Sequence, residues 1–226
     1  MRLRTNFTAI FASCLLLLAG SVAVAKDHPV VSVSPDVALT RLKAGNARFV
    51  ADPVSKGKPT AARRAETAKT QHPFAIIVGC ADSRTSPELV FDQNIGDLFV
   101  VRTAGNLVDD HGLGSIEYAV DHLGTRLIVV LGHESCGAVK AALASATAPG
   151  HVNSLVHDIQ PAVEAAKSET GDPLANTVKA NARLVAEKIG KEAELGEHKS
   201  EVRIVTGYYH LDTGAVEWPD ETKAEK

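Results

Sequence analysis

Two short apolar runs without polar alternation constrain this chain most. Residues 74–79 read Phe-Ala-Ile-Ile-Val-Gly, and residues 127–131 form a second continuous apolar run. A strand with one wet face alternates, whereas a strand covered on both faces of a parallel sheet reads as unbroken apolar sequence. Residues 97–101 read as a further strand. Helical patterns at 115–123 and 137–146 separate or follow these runs, and two more occupy 152–167 and 173–189. Strands alternating with helices predict an α/β fold, with a mostly parallel central sheet flanked by helices. Ser34-Pro35-Asp36 starts an N-terminal helical arm, with Ser34 as N-cap and Pro35 at the first helical position. Val37, Leu39, Leu42 and Phe49 supply its apolar side, and Pro53 and Pro59 break the chain after it. Residues 201–209 read as a late strand, and Asp212-Thr213-Gly214 as a turn before a short segment at 215–218.

The first 25 residues belong to a different class. Arg2 and Arg4 precede an apolar run over 7–20, and Ala23-Val24-Ala25 supplies a small-x-small cleavage pattern. This is the layout of a secretory signal peptide, and the run is shorter than the ~20 residues that span a bilayer. The expected mature chain, 26–226, is one domain with a loose charged tail from about 219, periplasmic or secreted, and off the membrane once cleaved. Cys14 lies in the middle of the apolar run, which argues against a lipoprotein. A formal charge of −3 and an aromatic content of 4% offer neither a basic face nor a stacking surface, so nucleic acid is not an expected partner.

Cys80 and Cys136 remain after cleavage. In an exported chain, two cysteines read first as a disulfide. Their placement favours metal. Cys80 directly follows the strand at 74–79, and His133 and Cys136 follow the strand at 127–131. Ligands of open α/β sheets bind at the carboxyl ends of strands. Thiolate and imidazole are zinc donors, and three protein ligands with a fourth position open is the catalytic pattern. Asp82 and Arg84, just past Cys80, are spaced to pair. Such a pair either fixes an ionised acceptor beside a metal or holds a loop, and spacing leaves both open. Gly112-Leu113-Gly114 starts like a dinucleotide fingerprint, but Glu117 stands where its third glycine belongs.

Cys80-x-Asp82-Ser83-Arg84 followed by His133-x-x-Cys136-Gly137 resembles the β-class carbonic anhydrase family. The likeness extends to Gly45-Asn46-x-x-Phe49, to Gly96-Asp97-Leu98-Phe99-Val100-Val101-Arg102-x-Ala104-Gly105-Asn106, and to Ser115-Ile116-Glu117-Tyr118-Ala119-Val120. The resemblance implies one zinc ion (Zn2+) per chain on Cys80, His133 and Cys136. It implies reversible hydration of carbon dioxide to bicarbonate and a proton, by attack of a zinc-bound hydroxide that Asp82 orients and Arg84 steadies. Gln71 matches a substrate-orienting glutamine, Phe99 and Tyr118 match apolar pocket walls, and the Gly137 N–H matches a donor to the substrate oxygen. Gln71, and the lack of an aromatic residue just before Cys80, fit the plant-type subgroup, whose site stays open. The family also implies a homodimer or homotetramer, with the helix at 36–49 reaching onto a partner and the pocket shared. Two other readings use the same ligands: a zinc protein without turnover, and a hydrolase of carbonyl sulfide or carbon disulfide.

Overall fold

The computed structural model describes residues 32–51 and 60–219. The expected signal peptide, Cys14, Pro53, Pro59 and the charged tail lie outside the described residues. The strands are β1 (Ala75–Gly79), β2 (Leu98–Arg102), β3 (Leu127–His133), β4 (Arg203–Tyr209) and β5 (Val216–Glu217). They form one sheet in the order β2-β1-β3-β4-β5. The first four pair in parallel and β5 closes the edge antiparallel to β4. Every residue of β1 and β3 is buried, which is why neither run alternates. β3 continues two residues past the expected end, because Gly132 and His133 still pair with Tyr208 and Tyr209 of β4.

The helices are α1 (Pro35–Ala51), α2 (Ala61–Thr67), α3 (Pro87–Val90), α4 (Asp110–Asp121), α5 (Gly137–Ala144), α6 (Val152–Ala166) and α7 (Pro173–Glu192). Alternate strand side chains point to opposite faces. On one face, Ile77, Val129, Leu131 and Val205 pack with Ala38, Leu39 and Leu42 of α1 and with Phe91. On the other, Ile76, Val78, Ile128 and Val130 pack with Ile116, Ala119 and Val120 of α4 and Ala182, Val185 and Ile189 of α7. Burying one such aliphatic side chain stabilises the fold by roughly 1.5–3 kcal/mol. Among the described residues, no helix is long and apolar enough to cross a membrane.

Three details depart from the sequence reading. Val37 is 47% exposed, while Ala38, Leu39, Leu42, Gly45 and Asn46 form the buried stripe of α1 at spacings of three and four. Gly45 sits on that stripe because an added Cβ would collide with the Phe91 carbonyl oxygen. Asn46 beside it donates to the carbonyls of Val90 (3.0 Å) and Gly214 (2.8 Å) and accepts from the Val216 N–H (2.9 Å), tying α1 to α3 and to the β5 edge of the sheet. Second, α4 begins five residues earlier than expected, since Asp109 caps it by accepting the Gly112 N–H at 2.9 Å. Gly112 and Gly114 therefore lie inside a helix and form no phosphate loop. Third, α2 and α3, of seven and four residues, are too short to show a period in sequence.

Candidate metal centre

Two strand ends and one helix start build this site. Cys80 is the first residue after β1, and His133 is the last residue of β3. Ser135 then takes a left-handed φ of 56°, which turns the chain sharply enough for Cys136 to cap α5. The Sγ atoms of Cys80 and Cys136 and a ring nitrogen of His133 all lie within 4.8 Å of one another, and all three residues are buried. Both thiols are free, so the disulfide reading does not hold in this structure.

The donor chemistry fits a zinc ion. The His133 Nδ1–H donates to the Glu134 carbonyl at 2.8 Å, which fixes the tautomer and leaves a lone pair on Nε2. That Nε2 is buried and has no hydrogen-bond partner. A buried orphan nitrogen is costly unless something binds it, and here it faces two thiols. The Cys80 Sγ accepts the N–H groups of Gly105 (3.3 Å) and Asp82 (3.4 Å). The Cys136 thiol, foremost, and these two N–H groups hold the Cys80 thiol well below its usual pKa range against the opposing effect of burial. The Cys80 sulfur and burial push the Cys136 thiol up. The pair thus gives up one proton readily and keeps the other, and a divalent cation between the sulfurs removes the repulsion that keeps it.

Asp82 lies at the rim of this cluster. Its Oδ1 accepts the Arg84 N–H at 3.0 Å and Nε–H at 2.9 Å, and its Oδ2 accepts Nη2–H at 2.7 Å. These Arg84 hydrogen bonds hold the carboxyl far below the usual carboxylate range, against the opposing effect of burial. Oδ2 is 4.0 Å from His133 Nε2. The carboxylate is therefore ionised, fixed in direction and next to the metal donors without being one of the three. Gly137 opens α5 beside Cys136, with open space where a side chain would be.

The chain does not bring Gln71, Phe99 or Tyr118 to the metal donors. Gln71 is exposed ahead of the amino end of β1, and lines a surface hollow with Thr67 and Ile95. Phe99 pairs with Ile76, four residues short of Cys80. Its ring lies 6.4 Å from that of Tyr118, which is 48% exposed on α4. Three contributors carried no role in the sequence reading. Arg102 donates to main-chain carbonyls of the Cys80 loop. Gly105, at φ 74°, supplies an N–H to Cys80. Asn181, buried on α7, donates to the Gly105 carbonyl at 2.8 Å. A polar residue within the apolar stripe Val178, Ala182, Val185 and Ile189 was the one available signal for Asn181.

A family model described as carbonic anhydrase matches residues 75–216, the span that holds all three donors. Carbonic anhydrase 2 of Mycobacterium tuberculosis is 51% identical over 136 residues, which are 58% of this chain and 66% of that protein. The match thus spans slightly less than two thirds of the relative's length. A Coccomyxa β-carbonic anhydrase solved with acetazolamide is 28% identical, with a TM-score of 0.61 over 83% of this chain and 86% of that one. A tetrameric β-carbonic anhydrase from Sordaria macrospora shares the fold at 22% identity, with a TM-score of 0.64 over 81% of this chain and 95% of that one. The matched span and the shared fold agree, and the chain belongs to the β-class carbonic anhydrase family.

Proposed function

We propose that this chain catalyses the zinc-dependent, reversible hydration of carbon dioxide to bicarbonate and a proton. The observation that carries this reading is the bare, buried Nε2 of His133 facing two free, buried thiols. Cys80, His133 and Cys136 would hold one zinc ion per chain. When bound, zinc acidifies water so that hydroxide is available near neutral pH. Asp82 accepts the proton side of the attacking oxygen and so aims a lone pair at the substrate carbon. Arg84 keeps Asp82 ionised and pointed, so no reorganisation is needed as charge moves. The Gly137 N–H donates to the substrate oxygen as that oxygen gains charge.

Carbon dioxide is uncharged and needs an apolar wall beside the metal. A second copy would supply it through its Phe99 and Tyr118, with its Gln71 orienting the substrate oxygen, which makes a homodimer or homotetramer the working unit. The exposure of Tyr118, Leu89 and Ile95 supports this, as does the tetrameric Sordaria relative. The open-site, plant-type reading is supported by Arg84 occupying both Asp82 oxygens. Export through residues 1–25 completes the proposal.

Stopped-flow carbon dioxide hydration on residues 26–226, with zinc quantified in the same sample, tests it. Turnover should scale with zinc content, vanish on chelation and return with added zinc. Full turnover without zinc, or stoichiometric zinc without turnover, refutes it.

A further inference from the structure

The segment Cys80-Ala81-Asp82 carries both a metal donor and the carboxylate beside it, so its main chain sets how the two face each other. Thr85 Oγ1 donates to two of the segment's three carbonyls, Asp82 at 3.0 Å and Cys80 at 3.4 Å. Thr85 belongs to the same loop, however, and moves with it. The backbone ladder to the neighbouring strand continues past β1 only through longer bonds, Thr103 N–H to Gly79 (3.2 Å) and Ala81 N–H to Thr103 (3.3 Å).

Arg102, the last residue of β2, makes the short link. Its Nε–H donates to the Cys80 carbonyl at 2.7 Å and its Nη2–H to the Asp82 carbonyl at 2.6 Å. We propose that Arg102 is a positioning residue, a two-pronged clamp from the sheet that fixes Cys80 and Asp82 relative to the metal. Among the described residues Arg102 donates to main-chain carbonyls, while Arg84 holds the Asp82 side chain. The two arginines divide the work between main chain and carboxylate. A guanidinium suits the task because its planar fork presents two N–H groups in fixed directions, which the single nitrogen of lysine cannot. Contacts that orient a metal ligand from behind typically change metal affinity or activity by roughly 10–100-fold when removed.

The inference rests on the zinc reading, and the experiment separates the two. Wild type, Arg102→Lys and Arg102→Ala are compared as full mature chains. The measurements are zinc retained against a competing chelator, the visible spectrum with Co2+ in place of zinc, and kcat and KM for carbon dioxide hydration. In Arg102→Ala we expect zinc retention and kcat each to fall by roughly tenfold or more, KM to stay near wild type, and the cobalt spectrum to change. Arg102→Lys should fall between. A lysine variant matching wild type in all three measurements shows that charge alone suffices and overturns the clamp. An alanine variant with wild-type retention, spectrum and kcat overturns it as well. Should circular dichroism show the alanine variant unfolded, the lysine variant decides: an altered cobalt spectrum supports the clamp and an unaltered one refutes it. A wild-type chain that binds no zinc fails the parent reading before any variant is made.

Discussion

Replacing Asp82 with Asn isolates the charge of one carboxylate with little disturbance of shape. Three Arg84 hydrogen bonds hold Asp82, at 3.0, 2.9 and 2.7 Å. The two to Oδ1 survive in an asparagine, whose carbonyl oxygen still accepts. The third becomes an amide N–H facing the Arg84 Nη2–H, two donors with nothing between them. The segment's main chain is gripped separately by Arg102, so Cys80 stays in place. Zinc content should be unchanged. Turnover should fall roughly a hundredfold, the lower end for losing a positioned acid–base partner, which is about 2.7 kcal/mol of barrier. The pH profile sharpens the test. Arg84 holds Asp82 well below the ordinary carboxylate range. A depressed folded-state pKa means that the charged form and its stabilisation are fully present above the unfolded value of about 3.9, and fade only as pH falls through the folded value. Asp82 therefore titrates nowhere between about pH 5 and 9, and any acid limb there should persist in the variant. Full activity in Asp82→Asn would return the pair to a loop-holding role. A limb present in wild type and absent from the variant would refute the ionisation argument, and loss of zinc would refute the separation of roles.

Gly105→Ala should lower the melting temperature and weaken zinc binding together. Its left-handed φ costs a non-glycine residue about 1–2 kcal/mol, and the new Cβ would lie 2.9 Å from Ile159 Cδ1 and 3.3 Å from Ala138 Cβ; an unchanged denaturant midpoint would contradict this. Asn181→Leu leaves the buried Gly105 carbonyl without its donor, for a loss of about 1–3 kcal/mol in chemical unfolding, and equal stability would show that water replaces the bond. Mixing a Cys136→Ser chain with a Phe99→Ala/Tyr118→Ala chain should give more activity than either alone, because one site of the mixed pair has all its parts. No gain on mixing would mean that each chain makes its own pocket.

What could be read along the chain was whatever depends on residue type and local spacing. Unbroken apolar runs marked β1 and β3, because burial on both faces leaves no polar position. Cys80, His133 and Cys136 stood out because few side chains bind zinc, and their place after those runs put them on one sheet edge. Periodicity could not carry β3 as far as His133, because the last rungs are defined by pairing with Tyr208 and Tyr209 some 76 residues away. It also missed the start of α4, which a single Asp109 hydrogen bond decides. Arg102, Gly105 and Asn181 were silent for the same reason: each acts on a group 20–76 residues distant, through contacts that exist only after folding. Family likeness assigned Gln71, Phe99 and Tyr118 to the pocket, yet one chain holds them apart from the metal donors. The sequence by itself determined the donors and the strands that carry them, since both are written in side-chain chemistry. Only the tertiary structure decided that His133 presents a bare Nε2 between two thiols and that Arg84 aims Asp82 at that point, since both depend on angles and distances that no local pattern encodes.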